Sequence, residues 1–245
     1  MTARVALVTG ASKGIGRATA MALAADGRAV ACAYGSDDAG AKETVRLVEE
    51  AGGTAAAFAA DVGDAEAVAA MIASVAEELG PPVILVANAG MNKDGLAVRY
   101  DLADWERMLR VNLTGTFTCI RATLPHMMKA RWGRIVTVSS AIALRGNAGQ
   151  SVYGASKSGL VGMTRSLAKE YAARSITANV LCPGFVETEM TSGLPQKARR
   201  ALDEGIPAGR VGTVEEIAAA IRFLASDEAS YVNGAVLAVD GGLTA

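Results

Sequence analysis

Thr9-Gly10-Ala11-Ser12-Lys13-Gly14-Ile15-Gly16 stands between the short apolar run 5–8 and a helical stretch at 17–25. In a doubly wound sheet, a glycine-rich turn at such a junction is where a dinucleotide pyrophosphate binds. Glycine permits the sharp bend and the close approach of the backbone. The helix N-terminus adds unpaired N–H groups at the positive end of its dipole. Alone, the turn is a weak signal, because many glycine-rich turns are only tight loops. Its setting gives it weight: the alternation of strand and helix that begins here runs to the end of the chain.

Further apolar, β-branched runs at 29–34, 55–60, 83–87, 134–138, 176–181 and 235–239 read as strands. Stretches at 42–50, 65–79, 102–131, 154–173 and 215–225 read as helices. Seven strands alternating with helices through short connections predict an α/β fold. The expected architecture is a Rossmann-type parallel sheet, doubly wound, with helices on both faces. The strands are almost wholly apolar, as strands covered on both faces must be. With 245 residues, 51% hydrophobic and 20% charged, the chain suits a single domain over 1–245. The segment 188–212, with Gly193, Pro195, Pro207 and Gly209, is the least regular and is the expected mobile lid.

A net charge of −1 lacks the basic excess of a nucleic-acid protein. Cys32, Cys119 and Cys182 are far apart with no CxxC spacing, so they read as buried free thiols in a cytoplasmic protein without a zinc site. His126 stands alone and is expected to be structural, as are Trp105 and Trp132. The N-terminus shows no signal-peptide pattern, and no run approaches the roughly 20 apolar residues of a membrane span.

Where an NAD-binding sheet ends its second strand with an acidic residue on the ribose 2′-hydroxyl, this chain has Tyr34. Without that carboxylate, a 2′-phosphate meets no repulsion there. Lys13, Gly35 and Ser36 can receive it, which points to NADP(H). Asp37 and Asp38 come slightly later and are read as the cap of the next helix.

Tyr153 and Lys157 are four residues apart, hence on one helical face. An ammonium beside a phenol is expected to lower the tyrosine pKa towards neutrality and make the pair an acid–base group. A surface Tyr–Lys pair is the bland alternative. Ser139 and Ser140 close a strand at the edge where active groups of open sheets gather, and either hydroxyl could bind a substrate carbonyl, unless both serve only the turn. Asn112 lies inside a predicted helix although asparagine suits helix interiors poorly. Its side chain, or a local distortion, could hold a water leading to Lys157. A plain buried hydrogen bond is the other reading.

The glycine spacing is GxxxGxG. Together with Asp61-Val62, Asn88-Ala89-Gly90, Asn112, Ser140, Tyr153-xxx-Lys157, Pro183-Gly184 and Asp240-Gly241-Gly242, it resembles the short-chain dehydrogenase/reductase family over essentially the whole chain. The resemblance implies a catalytic tetrad of Asn112, Ser140, Tyr153 and Lys157. It implies cofactor contacts from Gly10, Ser12, Lys13, Gly14, Ile15 and Gly16, and from Asp61 and Val62 beside the adenine. Asn88, Ala89, Gly90, Tyr153, Lys157, Pro183, Gly184, Val186 and Thr188 complete that set. Within the family, the segments 92–96, 111–117 and 183–191 are most similar to the 3-oxoacyl-[acyl-carrier-protein] reductases. That likeness implies docking of an acidic carrier protein on Arg131 and Arg174, and a homotetramer built on the helices at 102–131 and 154–173 and on the last helix and strand. Reduction of acetoacetyl-CoA, a polyketide intermediate or another ketone, or a silent dinucleotide-binding sensor, are the alternatives.

Overall fold

A computed structural model describes residues 4–187 and 204–245. Thr188 and residues 188–203 of the expected lid segment lie outside the described residues. The described chain forms one seven-stranded sheet, ordered β3-β2-β1-β4-β5-β6-β7, with every pairing parallel. The strands are β1 Val5–Thr9, β2 Ala29–Tyr34, β3 Thr54–Ala59, β4 Pro82–Ala87, β5 Gly133–Val138, β6 Ile176–Pro183 and β7 Val236–Val239.

Side chains alternate across each strand, so two cores form, one on each face. Val5 and Leu7 of β1 and Leu85 and Ala87 of β4 face one layer of helices: α3 (Ala65–Glu78), α5 (Gly115–Ala130) and α7 (Ser151–Tyr171). Ala6, Val8, Ile84 and Val86 face the other, made of α1 (Gly14–Ala25), α2 (Asp38–Glu50) and α8 (Val214–Leu224). α4 (Leu102–Leu109) and the short α6 (Ile142–Arg145) pack against α7.

The predicted helix at 102–131 is not one regular helix. A π turn at Arg110–Thr114 separates α4 from α5. Such turns insert an extra residue into the helical ladder and frequently mark functional sites. Asn112 sits in this turn and is fully buried. Asp37 caps α2 by accepting from the Gly40 amide, as expected of that acidic pair.

The glycine turn owes its shape to contact with its own backbone. A Cβ on Gly16 would lie 2.0 Å from the Gly10 carbonyl oxygen. The first turn of α1 therefore packs directly on the loop that precedes it. Gly10 itself has φ +65° and presses on Ala89 at the end of β4. Substituting Gly16→Ala forces backbone apart, an overpacking that costs about 1–3 kcal/mol. In a protein of this size a thermal melt should fall by about 2–10 °C. An unchanged melting temperature would show that the turn yields freely.

Candidate active site

Connections wind outward in opposite directions from β1 and β4, and the cleft at this switch point has a volume of about 680 Å³. Gly10, Ser12 and Lys13 of the glycine turn line it, with Gly35 and Ser36 after β2, Asp61 and Val62 after β3, and Ala89 and Gly90 after β4. All were expected cofactor contacts. Gly14, Ile15, Gly16 and Asn88 do not border the cleft; they hold its wall. Ile15 packs onto the α1-side core. Asn88 donates its amide to the carbonyls of Thr9 and Gly10, at 3.0 and 3.2 Å. Pro183 ends β6 and Gly184 and Val186 follow it; they do not line this cleft, but the Pro183 carbonyl accepts from the Ala141 amide, next to Ser140, at 2.8 Å. Gly184 abuts Asp240, where a Cβ would meet backbone at 2.7 Å. Val186 pairs with Gly212.

The residues suit a dinucleotide. Helices α2, α3, α4 and α8 are capped by Asp37, Asp64, Asp101 and Thr213, whereas α1 has no side-chain cap and no acidic residue in its first turn. α1 begins directly after Lys13, which lines the cleft, so the positive end of its dipole lies beside the cleft and favours a phosphate there. At the end of β2 the Tyr34 hydroxyl donates to Asp38 at 2.6 Å, and Asp38 also pairs with Lys42 at 2.8 Å. One acid is turned to its own helix, and the other, Asp37, borders the cleft while accepting from Gly40.

The sequence reading missed Arg17, Arg107 and Arg110. Arg17 clamps the glycine turn to α2 by donating to the carbonyls of Ser12 and Gly40 and to the Thr44 hydroxyl. Arg107 and Arg110 line the cleft, and Arg110 pairs with Asp61 at 3.2 Å. On a regular amphipathic helix they read as solvated positions. Only the packing of α4 against the loop after β3 brings them to the cleft.

The four expected catalytic residues converge at the C-terminal ends of β4 and β5. Lys157 is buried, and its ammonium donates to the Val138 carbonyl at 2.8 Å. Burial pulls its pKa down to about 8. Gly90 leaves the room: a Cβ there would be 3.3 Å from both the Lys157 Nζ and the Asn112 Oδ1. The Asn112 side chain is fully engaged, accepting from the Met91 amide at 2.8 Å and donating to the Met91 carbonyl and the Ser156 hydroxyl at 2.9 and 3.0 Å. It ties the loop after β4 to α7.

The two serines separate cleanly. Ser139 is buried and donates to the Lys157 carbonyl at 2.8 Å, bracing α7. Ser140 accepts from the Ile142 amide at 3.2 Å and is hydrogen-bonded to Tyr153. The expected lowering of the tyrosine pKa is not found. Burial is the largest influence and raises it, outweighing the opposing bond to Ser140. The Lys157 ammonium lies 5.9 Å from the ring centroid and is itself starved of solvent. The phenol is therefore held protonated, as a proton donor to a carbonyl must be.

Arg131 and Arg174 lie at the same end of the sheet, far from Tyr153. They precede the paired starts of β5 and β6, where Gly133 is opposite Ile176. The expected catalytic groups lie at the other ends of these strands, about 20 Å away at roughly 3.3 Å per residue.

Comparison with known proteins agrees with this geometry. Residues 10–244 match the family model described as enoyl-(acyl carrier protein) reductase. A 3-oxoacyl-[acyl-carrier-protein] reductase of Pseudomonas aeruginosa is 44% identical over 98% of this chain and 97% of its own length. The enzymes of that name from Thermotoga maritima and Escherichia coli are 43% and 42% identical, over 98% of this chain and 97% of theirs in each case. A parallel sheet with an uncapped glycine turn at its switch point, a Ser–Tyr–Lys group at the strand ends, and likeness along nearly the whole length together place the chain in the short-chain dehydrogenase/reductase family.

Proposed function

We propose that this protein reduces the keto group of 3-oxoacyl thioesters carried on acyl carrier protein, with NADPH as reductant. The observation that carries the reading is the Ser140–Tyr153 hydroxyl pair beside the buried Lys157 ammonium. The keto oxygen accepts from both hydroxyls, which polarises the carbonyl. NADPH, held by the glycine turn and the residues after β2, β3 and β4, would supply a hydride for the carbonyl carbon. Tyr153 gives its proton to the oxygen as charge develops there. Lys157 stabilises the resulting phenolate and binds the ribose hydroxyls. The proton is resupplied through a water at the π turn. The Asn112 side chain is already engaged, so its backbone carbonyl, with one lone pair taken by Thr116, holds that water. The product is the 3-hydroxyacyl thioester.

The choice of NADPH rests on the missing carboxylate at Tyr34 and on Lys13 and Ser36 in the cleft. The ketone, rather than the enoyl group of the family description, is favoured by the relatives, which are named 3-oxoacyl-[acyl-carrier-protein] reductases and are 42–44% identical. A homotetramer suits the exposed Phe117 and Met128 on α5 and the half-buried apolar edge strand β7, which a second copy would cover. Carrier docking on Arg131 and Arg174 would then serve a neighbouring subunit's cleft, since each chain's own lies at the opposite sheet edge. The buried free thiols suit a cytoplasmic setting.

The direct test is NADPH oxidation with acetoacetyl-carrier protein and with acetoacetyl-CoA, repeated with NADH. Faster turnover with NADPH and with the carrier thioester is expected. Preference for CoA would retire the two arginines as a docking site, and preference for NADH would overturn the cofactor assignment. The variant Tyr153→Phe should lose at least about a hundredfold in kcat while still binding NADPH, as read by nucleotide fluorescence. Retained turnover would remove Tyr153 from proton transfer. The pH profile gives a further expectation. With a pKa of about 8, Lys157 is charged below that pH and neutral above it. Because kcat/KM for NADPH reports the free enzyme, it should be level at lower pH and fall above about pH 8. A profile level to pH 10 would show that the ammonium is not required.

A further inference from the structure

Beside the turn that leads into the Tyr153 helix stands an anion that the mechanism does not use. Asp94 lies on the loop after β4 and accepts from the side-chain amides of Asn92 and Gln150, both at 2.8 Å. Gln150 is the residue before α7, three positions ahead of Tyr153, and is itself held by Asn147 at 3.0 Å. The Gly95 amide donates to the Gly149 carbonyl at 2.8 Å, so the two loops are fastened by backbone as well. Asp94 is thus a fixed charge fastened to the turn that launches the tyrosine. It is close enough for its field to raise the tyrosine pKa. Among the described residues, the partners of its carboxylate are neutral amides. The neighbouring Lys93 is committed to Asp104.

From this arrangement we infer that Asp94 is a specificity-determining residue that excludes free 3-oxo acids and admits their thioesters. The inference rests on the ketone-reduction reading above. With the keto oxygen between Ser140 and Tyr153, the C1 group of the substrate lies only two carbons from the reacting centre. In a thioester that group is neutral, so Asp94 leaves it alone. In a free acid it is a carboxylate, and it would be placed near a second carboxylate that has no cation to offset it. The amides of Asn92 and Gln150 could have received an anion, but both already donate to Asp94. The amide dipoles are thus oriented by Asp94, and the acid meets a like charge. Two unit charges several ångströms apart in a partly hydrated cleft differ from a neutral pair by about tenfold in an equilibrium constant.

Kinetics with acetoacetate and with its N-acetylcysteamine thioester, each with NADPH, test this. The wild type should strongly favour the thioester, and its kcat/KM for acetoacetate should rise with added salt as the repulsion is screened. Asp94→Asn should raise kcat/KM for acetoacetate about tenfold, keep the thioester value within about twofold, and remove the salt effect. Asp94→Glu, which retains the charge, should retain the selectivity and guards against a merely structural effect. If Asp94→Asn leaves the ratio between the two compounds unchanged, or if Asp94→Glu changes it as much, the role of Asp94 is overturned while ketone reduction stands. A wild type that reduces neither compound overturns the reading on which the inference rests.

Discussion

Because every strand runs in the same direction, all seven C-terminal ends open on one edge of the sheet. This single constraint gathers the chemistry. The glycine turn after β1, Gly35 and Ser36 after β2, Asp61 after β3, Gly90 after β4 and Ser140 after β5 are distant in sequence, yet each begins within three residues of a strand end. Parallel strands need crossovers, and crossovers here are helices that bury both faces. The apolar strands, the two cores and the polar edge are therefore one physical solution. At the reversal of strand order between β1 and β4, neighbouring connections part and leave the cleft.

Within that edge the governing interaction is between Lys157 and the Val138 carbonyl. A buried ammonium is costly unless it is hydrogen-bonded. The chain meets the requirement with one backbone acceptor and with room made by Gly90. Ser139 fixes the backbone of the same lysine, so side chain and main chain are both pinned to the end of β5. The resulting environment is dry, and dryness acts in opposite directions on its two titratable groups. It lowers the lysine pKa and raises that of the tyrosine. Attraction between ammonium and phenolate alone would lower the Tyr153 pKa, as its spacing from Lys157 suggests; burial reverses the direction.

The π turn shows a similar division of labour. It lets Asn112 leave the regular helical ladder and turn its amide into the loop after β4, linking that loop to Ser156 on α7. The asparagine was noticeable in the sequence because its helix propensity is poor. That its side chain ties the loop after β4 to α7 follows only from the contacts.

Much was legible in the sequence because it depends on local rules. Apolar runs with β-branching gave the strands, glycine spacing gave the turn between β1 and α1, and the four-residue interval placed Tyr153 above Lys157. These follow from period, propensity and steric limits, which act over a few residues. What tertiary structure alone decided depends on neighbours far along the chain. It assigned Ser139 to bracing and Ser140 to the tyrosine, brought Arg110 onto Asp61, joined Asp94 to Gln150, and put Arg131 and Arg174 at the far edge from Tyr153. Burial, the energy that sets the pKa values, is likewise a property of the assembled cores. No local pattern encodes it, because desolvation is the sum of everything packed around a group.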